Sequence, residues 1–281
     1  MECIKIATLS CPPVKKEYYR RRYRRSLSAF TAWLALLCLF FFSINFLNIP
    51  LERIFGVFGR IADVLSDRYY PPDINYILDR TYFSYVVGTV QMAFLGALIG
   101  ILLSIPLAWF ASWNMTPSRR IVYPAARFLS MGCRAIHETI WTILFVSILG
   151  FGMFPGVVAL IFFSVGFAVK LLAEEIEAID MGPVEAMRAT GANLFQIMMF
   201  GVMPQIRVAL TGIAIYTWDV AFRAATVVGF FGAGGMGWYL KRNVLQIESQ
   251  RVAAIMLSIV VLVLLSETVS AWARKAVMKM Q

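Results

Sequence analysis

The run Glu185-Ala-Met-Arg-Ala-Thr-Gly191, continuing through Ala192-Asn-Leu-Phe-Gln-Ile-Met-Met-Phe-Gly-Val-Met to Pro204, decides how the rest of the chain is read. It is a short stretch of mixed polarity lying between two apolar segments long enough to cross a bilayer. Gly182 can cap a helix, Pro183 suits its first position, and Glu185 falls in its first turn, where the helix dipole favours a carboxylate. Gly191 then interrupts the helix at a point where the missing side chain lets another backbone approach. Taken alone, these residues also fit an ordinary cytoplasmic loop carrying a capped helix.

Composition places the surrounding chain in a membrane. Hydrophobic residues make up 60% of it and charged residues 15%, where an average soluble domain has about 25% charged. The 281 residues suit a bundle of several spanning helices, each of about 20 residues. The net charge of +10 is concentrated in Lys15, Lys16, Arg20, Arg21, Arg22, Arg24 and Arg25, just ahead of the first apolar run. A basic cluster there is the topology signal of a cytoplasmic N-terminus. No folded basic domain follows it, so nucleic acid is not the expected partner. Leu27 to Leu47 exceeds a signal-peptide core, and no small-residue cleavage site follows it.

The single histidine, His137, excludes sites that need several imidazoles. Cys3, Cys11, Cys38 and Cys133 form no metal-ligand spacing and suggest no disulfide. No cofactor or metal is expected in this chain. A Walker A motif is absent, so no ATP site is recognisable in this sequence.

Taken in order, residues 1–26 read as a flexible basic cytoplasmic tail. Residues 27–80 read as a first span, about Leu27 to Leu47, followed by an extracytoplasmic segment. In that segment Ile54, Phe58, Ile61 and Leu65 recur at helical spacing and predict an interfacial amphipathic helix. Residues 81–273 form the main membrane domain, with spans at about 83–111, 121–149, 157–173, 204–228 and 252–272 and a cytoplasmic loop at 180–204. Residues 274–281 are a cytoplasmic C-terminus. This six-span arrangement leaves thirteen Lys and Arg in the tail, the first inner loop and the C-terminus together, against seven outside, as the positive-inside tendency asks.

Ionisable groups within spans are candidate functional residues, because burying one costs at least about 2.5 kcal/mol at mid-depth. Asp219 and Arg223 are four residues apart, so they share a helix face and can pair. A planar, permanently charged guanidinium suits a tetrahedral oxyanion. A purely structural ion pair is the alternative. Arg134 and Glu138 repeat the spacing with His137 beside them, either on the path or snorkelling to the inner face. Beyond Arg223 and Thr226 comes the glycine run Gly229, Gly232, Gly234, Gly235, Gly237. It follows a span rather than a strand, so it is not a nucleotide loop; a helix end and tight turn account for it.

The spacing of Glu185, Ala186, Gly191 and Pro204 resembles the EAA loop of binding-protein-dependent ABC importer permeases. The wider run from Lys170 through Glu174, Glu177 and Asp180 to Gly191 is similar to the branch importing phosphonate, phosphite or hypophosphite, as is the Arg223 to Gly237 segment. Two positions depart from the pattern: Met187 stands for the third residue of the triplet, and Gly201 where Ile is usual before the Pro. The resemblance implies an all-α fold with a methionine-importer-like core and an extra N-terminal helix. It implies that Glu185, Ala186, Arg188, Gly191 and Pro204 couple to the ATPase, and that the glycine segment lies at the outer path. It further implies two copies of a cytoplasmic ATPase, an extracytoplasmic solute-binding protein and a second, identical permease in the bacterial inner membrane. A permease for another small solute and an ion-coupled secondary transporter remain as alternatives; an intramembrane enzyme lacks the necessary residues.

Overall fold

A computed structural model of the chain describes residues 13–47 and 56–278. It divides into two compact units, one ending at Asp63 and the other beginning at Val64. In the first, α1 runs Pro13–Phe46; α2 (Val57–Val64) follows and ends on the first residue of the second. The helix that carries the first span therefore begins at Pro13, and residues 13–26, expected as flexible tail, are helical. Lys and Arg are good helix formers, so a basic run readily extends the helix of the span it precedes. Phe58 and Ile61 share the expected amphipathic helix and are exposed. The expectations for Cys3, Cys11, Ile54 and Lys279 fall outside the described residues.

The second unit opens with a π turn (Leu65–Tyr69) and α3 (Ile74–Leu78). Then come α4 (Arg80–Phe110), α5 (Val122–Ala135), α6 (Glu138–Leu149), α7 (Met153–Glu177) and the short α8 (Gly182–Ala189). A helical turn, Leu194–Gln196, runs through π-helical Ile197–Val202 into α9 (Met203–Val228). A π turn at Gly229–Ala233, α10 (Gly235–Leu245) and α11 (Ser249–Met278) complete it. All described regular elements are helical. Among the described residues, five helical stretches are long and apolar enough to cross a membrane, and α5 with α6 supplies a sixth if that bent pair is one span.

That pair is where the structure departs most from a simple reading of the sequence. The expected span at 121–149 is broken by 89°, with Ile136 and His137 in extended conformation. The His137 ring accepts from the Thr139 amide at the start of α6, at 3.4 Å. The Trp141 indole donates to the Cys133 carbonyl, 3.2 Å away, which the break releases from the helical ladder. Gly166 on α7 makes room for the break. A side chain there would begin 2.8 Å from the Arg134 backbone nitrogen.

The α4–α7 pair is the bundle's spine. Gly88, Ala93, Gly96, Ala97, Gly100 and Ser104 form a buried stripe of small residues on α4, which lets two backbones approach closely without a gap to fill. A Cβ on Gly96 would lie 2.5 Å from that of Leu160. α9 packs against both spine helices and against α11. Buried apolar residues gather in three clusters along the bundle. One, with Trp109, Leu172, Val184 and Ile206, lies at the end carrying residues 178–193, the loop end. Another, with Met92, Leu160 and Phe222, is central. The third, with Tyr82, Met236, Tyr239 and Ile255, lies at the opposite end, beside residues 229–237.

Candidate functional site

At the loop end, α8 begins at Gly182 with Pro183 in its first turn and Met181 as the cap residue. Gly182 is thus inside the helix rather than capping it; its amide donates to Asp180 Oδ1 at 3.0 Å. Glu185, Ala186 and Arg188 are exposed along α8, while Val184 is completely buried in the loop-end core. Val184, with half-buried Met187 beside it, anchors a helix whose other face is exposed.

Gly191 closes α8 with φ +79°. Its amide donates to the Arg188 carbonyl at 3.0 Å and the Ala192 amide to that of Met187 at 3.1 Å. These are the paired bonds of a Schellman helix end, which favours glycine in the left-handed region. Nothing lies within 4 Å of a Cβ built on Gly191. The glycine is needed for its conformation, not for the close backbone approach expected from sequence.

Two contacts fasten α8 to α9. Gln205, one residue past Pro204, accepts from the Asp180 amide at 3.0 Å and donates to the carbonyls of Asp180 at 3.1 Å and Gly201 at 2.8 Å. Met187 and Gly201, the two departures from the family pattern, face each other. A Cβ at Gly201 would lie 3.3 Å from Met187 Sδ and 3.6 Å from Val184 Cγ2. The longer side chain at 187 occupies the room left by the missing one at 201. Gly201→Ile is expected to overpack this contact and cost roughly 1–3 kcal/mol. Met187→Ala in the same chain should recover most of the loss; thermal unfolding of the purified single and double variants checks this.

A second staple joins the loop-end tips of α4, α5 and α7. Arg127 donates to Glu177 at 2.6 Å and to the Ala111 carbonyl at 2.7 Å. Glu177 also accepts from the Trp113 amide at 2.8 Å. A charge that interrupts an expected span thus has a polar role where three helices meet. Gln205 and Arg127 were not singled out as site residues from sequence, since each bonds to partners distant in the chain.

The charged pair on α9 forms as expected. Arg223 Nη2 lies 3.2 Å from Asp219 Oδ2, with the Arg side chain 53% exposed and the Asp side chain 9%. Tyr216, Arg223 and Val227 are the exposed residues of one α9 stripe, with Val220 half-buried between them. Thr226 is turned away from it. It is buried, and its hydroxyl donates to the Arg223 carbonyl at 2.7 Å. The second expected pair does not form, because the break between α5 and α6 takes Arg134 and Glu138 off a common helix face. Glu138 Oε2 instead lies 3.4 Å from His137 Nδ1.

At the far end the glycine run is more than a turn. Gly229 starts the π turn, Gly232 and Gly234 have φ of +107° and +79°, and Gly235 and Gly237 open α10. A Cβ on Gly237 would lie 2.5 Å from the Phe230 amide nitrogen, so α10 folds directly back over the turn. Its first turn is held by the Met236 amide donating to Thr89 Oγ1 at 2.9 Å. Its later turns are held by Asn243 donating to Tyr76 Oη at 3.1 Å and by Tyr239 packed among Tyr76, Tyr82 and Tyr85. Tyr82 in turn bonds Ser258 of α11.

The family model of the binding-protein-dependent transport system inner membrane component matches residues 93–279. The phosphite transport system permease protein PtxC of Stutzerimonas stutzeri is 39% identical over 205 residues, 73% of this chain and 74% of the relative. The phosphate-import permease protein PhnE of Mycolicibacterium smegmatis is 34% identical over 225 residues, 80% of this chain but 42% of the longer relative. Among solved structures, an inward-facing MetNI methionine ABC transporter chain superimposes with a TM-score of 0.59 at 20% identity, covering 70% of this chain and 95% of its own. At that identity the likeness speaks for the fold, a methionine-importer-like core.

Proposed function

The chain belongs to the family of binding-protein-dependent transport system inner membrane components, and from that premise we propose that it carries a phosphorus oxyanion through an ATP-driven importer. It is a multi-pass inner-membrane permease subunit and not an enzyme. The family brings an ATPase and a solute-binding protein as partners. Within that frame, phosphite, phosphonate or a close analogue is the cargo, two identical permeases pair, and two ATPase copies bind beneath them. ATP and magnesium are then used only in those ATPases. Both termini and the loop end face the cytoplasm.

The observation that carries the substrate reading is Arg223. It is a half-exposed guanidinium held by a buried carboxylate on the helix that joins the loop-end core to the glycine segment. A fixed fork of donors matches the oxygens of a tetrahedral anion, and Asp219 keeps it from binding one too tightly to release. The similarity to PtxC points to the same class. At the loop end, exposed Glu185, Ala186 and Arg188, with Gly191 and Pro204 setting the ends of the connection, form the ATPase-docking surface. Apolar Phe195 and Phe200 are exposed beside them. At the glycine end, Phe151 and Trp238 lie together on the surface expected to receive the binding protein.

In this reading, ATP-driven closure of the two motors pushes on α8. Because Val184 and Gln205 tie α8 to the bundle, the push reaches α9 and opens the path outward. Titrating the cognate binding protein with phosphite, phosphonate, hypophosphite and phosphate tests the cargo. Tight binding of at least one is the expected result. Binding of an amino acid but none of the four would move the permease to another solute. Uptake abolished by a protonophore while ATP stays high would instead favour an ion-coupled carrier.

A further inference from the structure

A small cleft between α5 and α7 holds more positive charge than the fold's own pairs neutralise. Its cavity of about 100 Å³ is lined by Arg127, Ser130, Arg134 and Lys170 among others. Arg127 is engaged with Glu177. Lys170 has only a loose pairing with Glu174 at 3.7 Å, one turn along its own helix and about half exposed, an arrangement that holds weakly against a competing anion. Arg134 makes no ion pair among the described residues. Arg134 is exposed at the end of α5, so its guanidinium is free to meet an anion entering the cleft.

Ser130 adds a hydroxyl to the same cleft. It is 6% exposed and lines the cleft, yet its hydroxyl makes no hydrogen bond among the described residues. Ser104, Ser112, Thr142 and Thr217 bond a carbonyl of the preceding turn, and the unpaired oxygens of Ser164, Ser266 and Ser270 are fully enclosed. The Ser130 oxygen is neither bonded nor enclosed and is open to a ligand in the cleft. A hydroxyl, a free guanidinium and a mobile ammonium around a space of this size suit one small tetrahedral anion. A nucleotide or a sugar phosphate would not fit within it.

We propose that this cleft binds a single phosphate-type oxyanion near the loop end, a site separate from Arg223. Lys170 lies seven residues before the loop-end terminus of α7 and Arg223 twenty residues beyond the loop-end start of α9. At about 1.5 Å per residue the two differ in depth by roughly 20 Å. Arg134 and Lys170 bind the oxygens from two sides, and Ser130 donates to a third. The chemistry serves either a free anion passing through or the phosphate of an anionic lipid. Next to the cleft, an apolar cavity of about 420 Å³ lined by Leu107, Leu129, Cys133 and Val165 is wide enough for an acyl chain. The proposal stands on these residues and not on the identity of the transported solute.

Both sources can be tested on the full-length permease carrying Arg223→Gln with Asp219→Asn, which silences the other candidate while keeping a polar pair on α9. In one arm, radiolabelled inorganic phosphate and methylphosphonate are titrated by equilibrium dialysis in detergent. In the other, mass spectrometry reads phosphatidylglycerol retained from nanodiscs of mixed phosphatidylcholine and phosphatidylglycerol. Binding in at least one arm is expected, weakened at least about tenfold by Arg134→Gln and several-fold by Ser130→Ala. A free-anion site binds phosphate without retained lipid, whereas a lipid site retains phosphatidylglycerol that phosphate does not displace. Ser130→Ala removes one oxygen and keeps the fold, so it decides the matter if Arg134→Gln lowers folded yield. No binding in either arm, or equal binding by parent and variants, overturns the proposal.

Discussion

Replacing Arg223 is expected to cut oxyanion uptake by roughly ten- to a hundredfold, the range for losing a charge-assisted contact to a charged ligand. Arg223→Ala alone leaves Asp219, which is 6% exposed, as a carboxylate without its cation, and breaking a buried pair this way is strongly destabilising. The informative variant is therefore Arg223→Gln combined with Asp219→Asn, which keeps a polar pair on the helix face and removes both charges. Its yield in the purified complex should match the parent while uptake collapses. If uptake survives in the double variant, the pair is structural and the anion path runs elsewhere. Arg223→Lys refines the test. A point charge without the planar fork should retain part of the uptake.

Gly191 should be the most sensitive position at the opposite end. A residue with a Cβ at φ +79° costs roughly 1–2 kcal/mol, and the strain is relieved by unwinding the end of α8. Gly191→Val should leave the permease in the membrane and abolish ATP-dependent uptake. Gly191→Asn should keep much of it, because Asn tolerates the left-handed region. Since nothing in the chain crowds this position, the comparison separates conformation from space. If Asn fails as badly as Val, a partner chain must press against the residue. If Val transports normally, this helix end has no part in coupling. Co-purification of the ATPase and uptake in vesicles give the two readouts.

The spans were legible because their apolar runs are long and their flanks charged, and α8 because Pro183 and Glu185 mark its start. The break at Ile136 and His137 was not legible. Neither residue is a helix breaker by itself, and the features that sustain the bend are distant in sequence: Gly166 on α7 and the bond from Trp141 to Cys133. With the break unseen, Arg134 and Glu138 look like a helix-face pair, although the bend takes them apart. α10 was hidden by its glycines, which drew attention to a turn, although Met236, Tyr239, Leu240 and Asn243 recur at helical spacing and three of them are buried. Thr226 was attractive as a polar residue beside Arg223, but a threonine in an apolar helix is readily satisfied by its own backbone. The bonds made by Gln205 and Arg127 join residues 25 and 50 positions away, beyond the reach of any local pattern.

The complementary Met187 and Gly201, with Gln205 bonded across to Asp180, set the smallest portable piece of this protein. Transplanting only residues 185–191 into a related permease that carries isoleucine at the position of Gly201 would seat a methionine against a branched side chain. The graft would also leave behind the glutamine that positions the preceding bend. Residues 180–205 travel together or not at all. Drift in sequence here should likewise be paired, with a change in bulk at 187 answered by an opposite change at 201.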